Sequence, residues 1–316
     1  MCIRDRRNPD YYLPVTGRAA GNVGQVQVAL LADWSEQLPL YEADQLDVLA
    51  LHRLPRAETI RLQRRHPAQF RTVPDMRVDY IAFDTRRPPF DDGRVRQALV
   101  MATDRAYLSA ARLLGYDQPV SGGFTPPNLP GHVAGIALPY APARAQQLLA
   151  EAGYPGGHRL PVIELWGGEG SGTWDAVGDY LAQQWQRVLG VNSQRRTVAA
   201  ERLIRFSSAE GPHAFFVGWR ADYPDPDNFL RLAPIGWQTG WRHAHYDDLV
   251  TRAKTLRDAT ERLRLYREAE TILAQEAPIL PLTYHHWYAL FKPRVTHFPI
   301  SPMRRWFLKD VVITPD

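Results

Sequence analysis

Lysine is nearly missing from this 316-residue chain: of 38 basic residues only Lys254, Lys292 and Lys309 are lysine, and the other 35 are arginine. The arginines form no dense run and the net charge is only +4, which describes a solvated surface rather than a nucleic-acid footprint. Cysteine occurs once, as Cys2, so no disulfide can close within the chain and no thiolate nucleophile stands beyond it. No apolar run approaches the roughly 18 residues a membrane-spanning helix needs. The N-terminus lacks the apolar core of a signal peptide. Residues 1–6 match nothing that follows and are expected to be a foreign remnant.

The length allows one large or two medium domains with a sizeable core. Val26, Val28 and Leu30 alternate within 23–31, the pattern of a half-buried strand, and residues 56–66 read as a short arginine-rich helix ended by Pro67. Val78 to Asp84 is apolar on both faces (Val78, Tyr80, Ala82; Ile81, Phe83), which predicts a strand covered on two sides. Asp92 is placed to cap a helix running to about Thr103, with Val95, Ala98, Leu99 and Ala102 as its buried stripe. Arg94 and Arg96 are expected as surface charges of that helix. Gly122 to Pro142 reads as a long ordered loop, and Pro142 as the first residue of a helix that Gly153 and Pro155 stop. A strand is expected over Pro161–Trp166, then a helix over Thr173–Leu189 capped by Gly190. Tyr246 opens a helix to about Arg257, Asp258 a second one to Glu276, and Ile279 a strand to Leu290.

The most informative stretch follows a short apolar run, Ala214–Val217, that reads as a buried strand. Pro224 and Pro226 stop regular structure beyond it. Asp222, Asp225, Asp227, Trp219 and Tyr223 therefore crowd onto a loop at a strand end. A solvated turn is the plain alternative, because Asp, Asn and Pro dominate turns for backbone reasons.

Catalytic and metal sets fail on inspection. Strand, glycine loop and helix over 161–189 outline a phosphate cradle, but Thr173 stands where a dinucleotide fingerprint needs glycine and no Lys-Ser or Lys-Thr pair is near. Glu169 takes the first glycine of a nucleophile elbow. His285 and His286 are adjacent and point to opposite faces of a strand; His243 and His245 share a face but lack a third ligand. Asp91–Asp92 and Asp247–Asp248 stand at expected helix starts, where capping accounts for them. No cofactor, metal or catalytic residue is expected.

Gly218-Trp219-x-Ala221-Asp222-Tyr223-x-Asp225-Pro226-x-x-Phe229-Leu230 resembles the signature of the family 5 extracytoplasmic solute-binding proteins, the oligopeptide- and dipeptide-binding components of ABC importers. Three further segments resemble the family in its order. They are Pro88-Pro89-Phe90-Asp91-Asp92-x-Arg94-Val95-Arg96-Gln97-Ala98-Leu99, the run Leu148-Leu149-Ala150-Glu151-Ala152-Gly153-Tyr154-Pro155, and Leu265-Tyr266-x-x-Ala269-Glu270-x-x-Leu273-x-x-Glu276-Ala277-Pro278. Asn8-Pro9-Asp10-Tyr11-Tyr12 and Tyr41-Glu42-Ala43 match more weakly, and Ala141 replaces an aspartate that caps the helix in the family.

The resemblance implies an α/β, bilobed, type II periplasmic-binding-protein-like fold with an incomplete first lobe and a complete second lobe. It places part of lobe I at 7–84, lobe II at 85–280 and the return to lobe I at 281–316, with the family's N-terminal region missing. It implies binding without catalysis: capture of a short peptide or related small solute between the lobes, delivery to an ABC permease, a monomer outside the cytoplasm, and no nucleic acid. Asp222 would meet the ligand ammonium, Gly218 to Arg220 would offer backbone for pairing, and Trp219 an apolar wall. Tyr223 and Asn228 complete the candidate set. Phe216 stands where some oligopeptide binders carry an arginine for the ligand carboxylate. A transcription regulator that uses the same fold as its sensor is the alternative.

Overall fold

The computed structural model describes residues 2–6, 22–31, 33–51, 54, 56–169, 173–205 and 211–314. Asn8 to Tyr12 and the glycine-loop residues 170–172 lie outside them. In chain order the elements are β1 (Cys2–Arg6), β2 (Gln25–Ala29), α1 (Trp34–Glu42), β3 (Val48–Ala50), α2 (Arg56–Arg65), β4 (Phe70–Phe83), α3 (Gly93–Met101) and α4 (Arg105–Tyr107). There follow β5 (Gln118–Pro119), α5 (Pro142–Glu151), β6 (Ile163–Gly168), α6 (Trp174–Leu189), β7 (Ser193–Val198), α7 (Ala200–Arg205) and β8 (Ala214–Arg220). The chain ends with α8 (Ile235–Thr239), α9 (Ala244–Thr255), α10 (Ala259–Glu276), β9 (Ile279–Phe291), β10 (Val295–His297) and β11 (Val312–Ile313).

Two compact units emerge, one of residues 1–75 with 286–316 and one of residues 76–285. The sequence expectation put these divisions at 84/85 and 280/281. Strands β4 and β9 run unbroken through the observed boundaries, so no turn residue marks them.

In the first unit β3 pairs antiparallel with the end of β9, Val48 opposite Phe291 and Ala50 opposite Ala289. Residues 2–6 form β1, antiparallel to β2 from Cys2–Ala29 to Arg6–Gln25. Arg304 salt-bridges the buried Asp75 at 2.8 Å. Tyr41, fully buried, donates to Gln69 Oε1 at 2.6 Å.

In the second unit the strand order is β9-β4-β8-β6-β7. β8 is antiparallel to β4, while β6 is parallel to both β8 and β7, so β6-α6-β7 is a βαβ unit. One face carries the main core, where Ile81, Phe83, Leu165 and Phe216 meet Leu99 of α3, Leu148 of α5 and Leu181 and Trp185 of α6. Caps act as the sequence expects: Asp92 accepts from Arg94 N at 2.8 Å, Asp258 from Glu261 N at 2.8 Å, and Gly190 ends α6 at φ 69°. Ala141 gives α5 no side-chain cap.

Four expectations change. β4 starts at Phe70, eight residues before Val78, because its first half is the polar Arg71-Thr72 segment that period-two hydrophobicity does not flag. Arg96 is 4% exposed, not on the surface; it donates to Glu276 O at 2.8 Å and Phe90 O at 2.7 Å, stitching the end of α10 to α3. α9 begins two residues before Tyr246, and His243 Nδ1 caps it by accepting from Tyr246 N at 3.2 Å. Asp248 instead pairs with Arg252 at 3.0 Å.

Candidate ligand-binding site

β8 is built from Ala-Phe-Phe-Val-Gly-Trp-Arg, apolar enough to enter the sheet and ended by the prolines after it. It pairs with β4 along its whole length, Ala214 opposite Phe83 to Arg220 opposite Arg77. Its pairing with β6 covers only Ala214 and Phe215. Just past the strand, Ala221 N donates to Met76 O at 2.9 Å. Antiparallel ladders alternate, so Trp219 and Val217 turn their backbone groups to β4 while Gly218 and Arg220 turn theirs to the opposite edge. That edge lies beyond the residues paired with β6.

A side chain at Gly218 would displace the ends of two neighbouring side chains. A Cβ there would come within 2.2 Å of Asp79 Oδ1 and 2.3 Å of Arg77 Nη2. These two side chains cross the strand at this point as an ion pair of 2.7 Å.

The loop after β8 is tied down from within. Asn228 is fully buried; its Oδ1 accepts from Trp219 Nε1 at 2.9 Å and from Asp222 N at 3.2 Å, and its Nδ2 donates to Asp222 Oδ2 at 3.3 Å. Asn228 thus orients Trp219 and Asp222. Asp225 accepts two bonds from Arg262, at 2.9 and 2.6 Å. Asp227, 5% exposed, accepts from Tyr223 at 2.6 Å, Tyr266 at 2.8 Å, and Arg231 at 2.7 and 2.5 Å. Burial by itself would raise the Asp227 carboxyl, but the bonds from Arg231, Tyr223 and Tyr266 outweigh it and hold it below its usual range. Tyr223 is pushed up to about 12, by burial first and by Asp227 second.

The three aspartates therefore separate. Asp225 and Asp227 are internal acceptors, whereas Asp222 is exposed and its carboxylate bonds only Asn228 among the described residues. Among the predicted residues the structure gathers Trp219, Asp222 and Asn228 into one bonded set, and turns Tyr223 away to Asp227. Phe216 stacks on Trp174, centroids 5.7 Å apart, inside the core.

Sequence reasoning missed Arg77, Asp79, Arg262 and Tyr266. For the last two a signal existed: Arg262 and Tyr266 are four apart on α10 and share a face, with the Arg262 guanidinium 4.9 Å from the Tyr266 ring. Also unforeseen is Glu270, 1% exposed, whose Oε1 accepts from Thr125 N at 2.5 Å. Burial pushes its carboxyl up to about 7. It lines, with Arg105, Gly123 and Leu273, a small cavity. No three His, Cys, Asp or Glu side chains among the described residues group as metal ligands, and no described helix is long and apolar enough to cross a membrane.

Comparison with known proteins places these features in context. The model of the bacterial extracellular solute-binding proteins, family 5, matches residues 3–239. The probable deoxycholate-binding periplasmic protein YgiS of Escherichia coli K12 is 30% identical over 98% of this chain and 58% of its own length. The glutathione-binding protein GsiB of Escherichia coli K12 is 28% identical over 81% of this chain and 52% of its own length. The chain thus spans little more than half of these curated relatives. The ABC transporter substrate-binding protein CtaP of Listeria monocytogenes superposes with a TM-score of 0.82 over 99% of this chain and 64% of CtaP, at 18% identity, a likeness of fold.

Proposed function

Since the chain belongs to the bacterial extracellular solute-binding proteins, family 5, we propose that it binds short peptides or closely related zwitterionic solutes outside the cytoplasm. It hands them as a monomer to the permease of an ABC importer. The observation that carries this reading is the separation of the loop aspartates. Asp222 is exposed and oriented by the buried Asn228, while its two neighbours are consumed by Arg262, Arg231 and tyrosines. A carboxylate ordered before the ligand arrives loses little freedom on binding an ammonium.

Around Asp222 the parts for main-chain recognition are adjacent in the chain. The Gly218 and Arg220 edge of β8 supplies pairing groups for an extended ligand, which gives affinity without reading side chains. The Trp219 ring, fixed through its Nε1 to Asn228, supplies an apolar wall. Asp222 is read as the ammonium acceptor and Asn228 as a positioning residue. Tyr223 acts on the loop through Asp227.

Binding ends the chemistry: the reading has the protein take no part in bond cleavage. Titration of purified protein with a dipeptide and its N-acetylated form tests the reading. Preference for the free amine supports it, and absence of binding to any short peptide, or hydrolysis that follows the purified protein, overturns it.

A further inference from the structure

The residues that hold Trp219 and Asp222 are themselves packed against a second loop, 122–142. Phe124, buried in it, makes T-shaped contacts with Phe229 and Tyr80, ring centroids 5.6 and 5.1 Å apart. Phe229 follows Asn228 in the chain, and Asn228 bonds both Trp219 Nε1 and Asp222 N. Gly131 of the same loop approaches Pro226 so closely that a Cβ there would lie 3.3 Å from the proline ring. The loop after β8 thus rests on the 122–142 loop at two points.

Glu270 of α10 holds the 122–142 loop in turn. Its Oε1 accepts from Thr125 N at 2.5 Å, and Gly123 passes so close that a Cβ there would come within 2.2 Å of the carboxyl carbon. Its Oε2 is buried and has no hydrogen-bond partner among the described residues. A charge on that oxygen would be stranded, whereas a protonated carboxyl costs less there. The charged and titratable groups around it are committed elsewhere. Arg105 of α4, which lines the same small cavity, donates to Leu138 O at 3.0 Å and to Pro281 O at 2.7 Å. Tyr284 of β9 donates to Gly123 O at 2.7 Å and Tyr246 of α9 to Leu230 O. His132 Nδ1 donates to Thr125 O at 2.7 Å, and Tyr266 of α10 itself donates to Asp227.

Resting on the functional reading above for what the loop after β8 serves, we propose that Glu270 is a positioning residue of the ligand site, and that its proton keeps Trp219 and Asp222 in their bonded arrangement. The route runs from Glu270 through Thr125 and Phe124 to Phe229, and from Asn228 to Trp219 and Asp222. Ionisation draws solvent toward Oε2, shifts Gly123 to Thr125 away from α10 and takes Phe124 with them. The sign of the effect follows from linkage. Burial raises the carboxyl in the docked loop, so docking holds the proton and an undocked loop releases it sooner. Docking is therefore disfavoured progressively as pH rises toward about 7, and fully above it. The site is best ordered on the acid side of neutrality.

The experiment is a heteronuclear NMR titration of the purified protein over roughly pH 5 to 8.5, a range that brackets the Glu270 carboxyl. It follows the backbone amides of Thr125 and Asp222 and the indole N–H of Trp219. No ligand enters the measurement, so its failure leaves the functional reading standing. All three resonances are expected to shift through one transition with a common midpoint near 7. Glu270→Gln, which keeps the shape of the neutral acid and an acceptor for Thr125 N, should abolish the transition at all three. Phe124→Leu should keep it at Thr125 and remove most of it at Trp219 and Asp222. A wild type in which Thr125 titrates while Trp219 and Asp222 stay still overturns the inference and leaves Glu270 as a clamp of its own loop. A transition that survives Glu270→Gln overturns it too, and assigns the proton to His132. Should a variant not fold, the wild type decides alone: separate midpoints at Thr125 and Trp219, or no transition, overturn the proposal.

Discussion

Tyr266 donates its hydroxyl to Asp227 Oδ1 at 2.8 Å across 39 positions of sequence, wholly within the protein. The bond joins α10 to the loop after β8, and Asp227 completes the joint by taking Arg231 and Tyr223 as well. A loop of two prolines and three aspartates is thereby given a single shape, and Asp222 is left as its outward carboxylate.

Asp227→Asn is expected to lower stability by about 2–3 kcal/mol, since one of its two acceptor oxygens becomes an amide donor facing a hydroxyl and a guanidinium and the charge paired with Arg231 is lost. Asp225→Asn should cost less than about 1 kcal/mol, because its pair with Arg262 is partly solvated. Urea denaturation of the two variants checks this. Equal costs would dissolve the distinction between hub and rim.

Asp222→Asn keeps the volume and removes the charge. Affinity for a free-amine peptide should fall by roughly 30-fold or more, with stability changed by less than about 0.5 kcal/mol. The measurement is titration with a peptide and its N-acetylated form, together with a thermal melt. A variant that still prefers the free amine as strongly as wild type would return Asp222 to a structural role.

Gly218→Ala forces a methyl into the Arg77–Asp79 pair, at 2.2–2.3 Å from their polar atoms. We expect a loss of about 1–3 kcal/mol from overpacking. Adding Asp79→Ala and Arg77→Ala should recover much of it, because the obstructing atoms are gone. A melt of the single and triple variants decides the point, and no recovery would place the strain elsewhere.

Glu270 gives a pH dependence with a definite sign. Its carboxyl titrates near 7 in the fold because burial disfavours the charge, against 4.5 unfolded. Below 4.5 both states are protonated and nothing is lost; as pH rises toward 7 only the unfolded state releases its proton, so this group makes the protein less stable. The loss is complete above the folded value and is on the order of a few kcal/mol. Glu270→Gln should flatten melting temperature against pH between 5 and 7.5, roughly the window of that shift. An unchanged slope would show that Glu270 is not the group responsible.

Much of the second unit was legible in the sequence because its signals are local. Asp92 and Asp258 cap the helices they precede, Pro142 opens α5 and Gly190 closes α6, each through atoms within a turn of the residue. The apolar pattern of 78–84 announced a strand covered on both sides, and the residues of β4 from Val78 to Phe83 are all at most 4% exposed. The motif around Asp222 was likewise visible as a cluster at a strand end.

What sequence alone determined is thus where several helices and strands of the second unit lie and which loop gathers the carboxylates, since propensity, capping and period act over a few residues. Only tertiary structure decided how those groups are used. Tyr223 and Arg231 reach Asp227 from within the loop, but Asp225 and the rest of the Asp227 hub depend on Arg262 and Tyr266, brought in on a helix from dozens of positions away. Arg96 reads as a surface charge until the end of α10 arrives to accept its bonds, and the charge state of Glu270 is set only when the 122–142 loop covers it. Arg77 met Gly218 and Arg220 only through sheet register, because strand pairing joins residues by space and leaves no trace in their spacing.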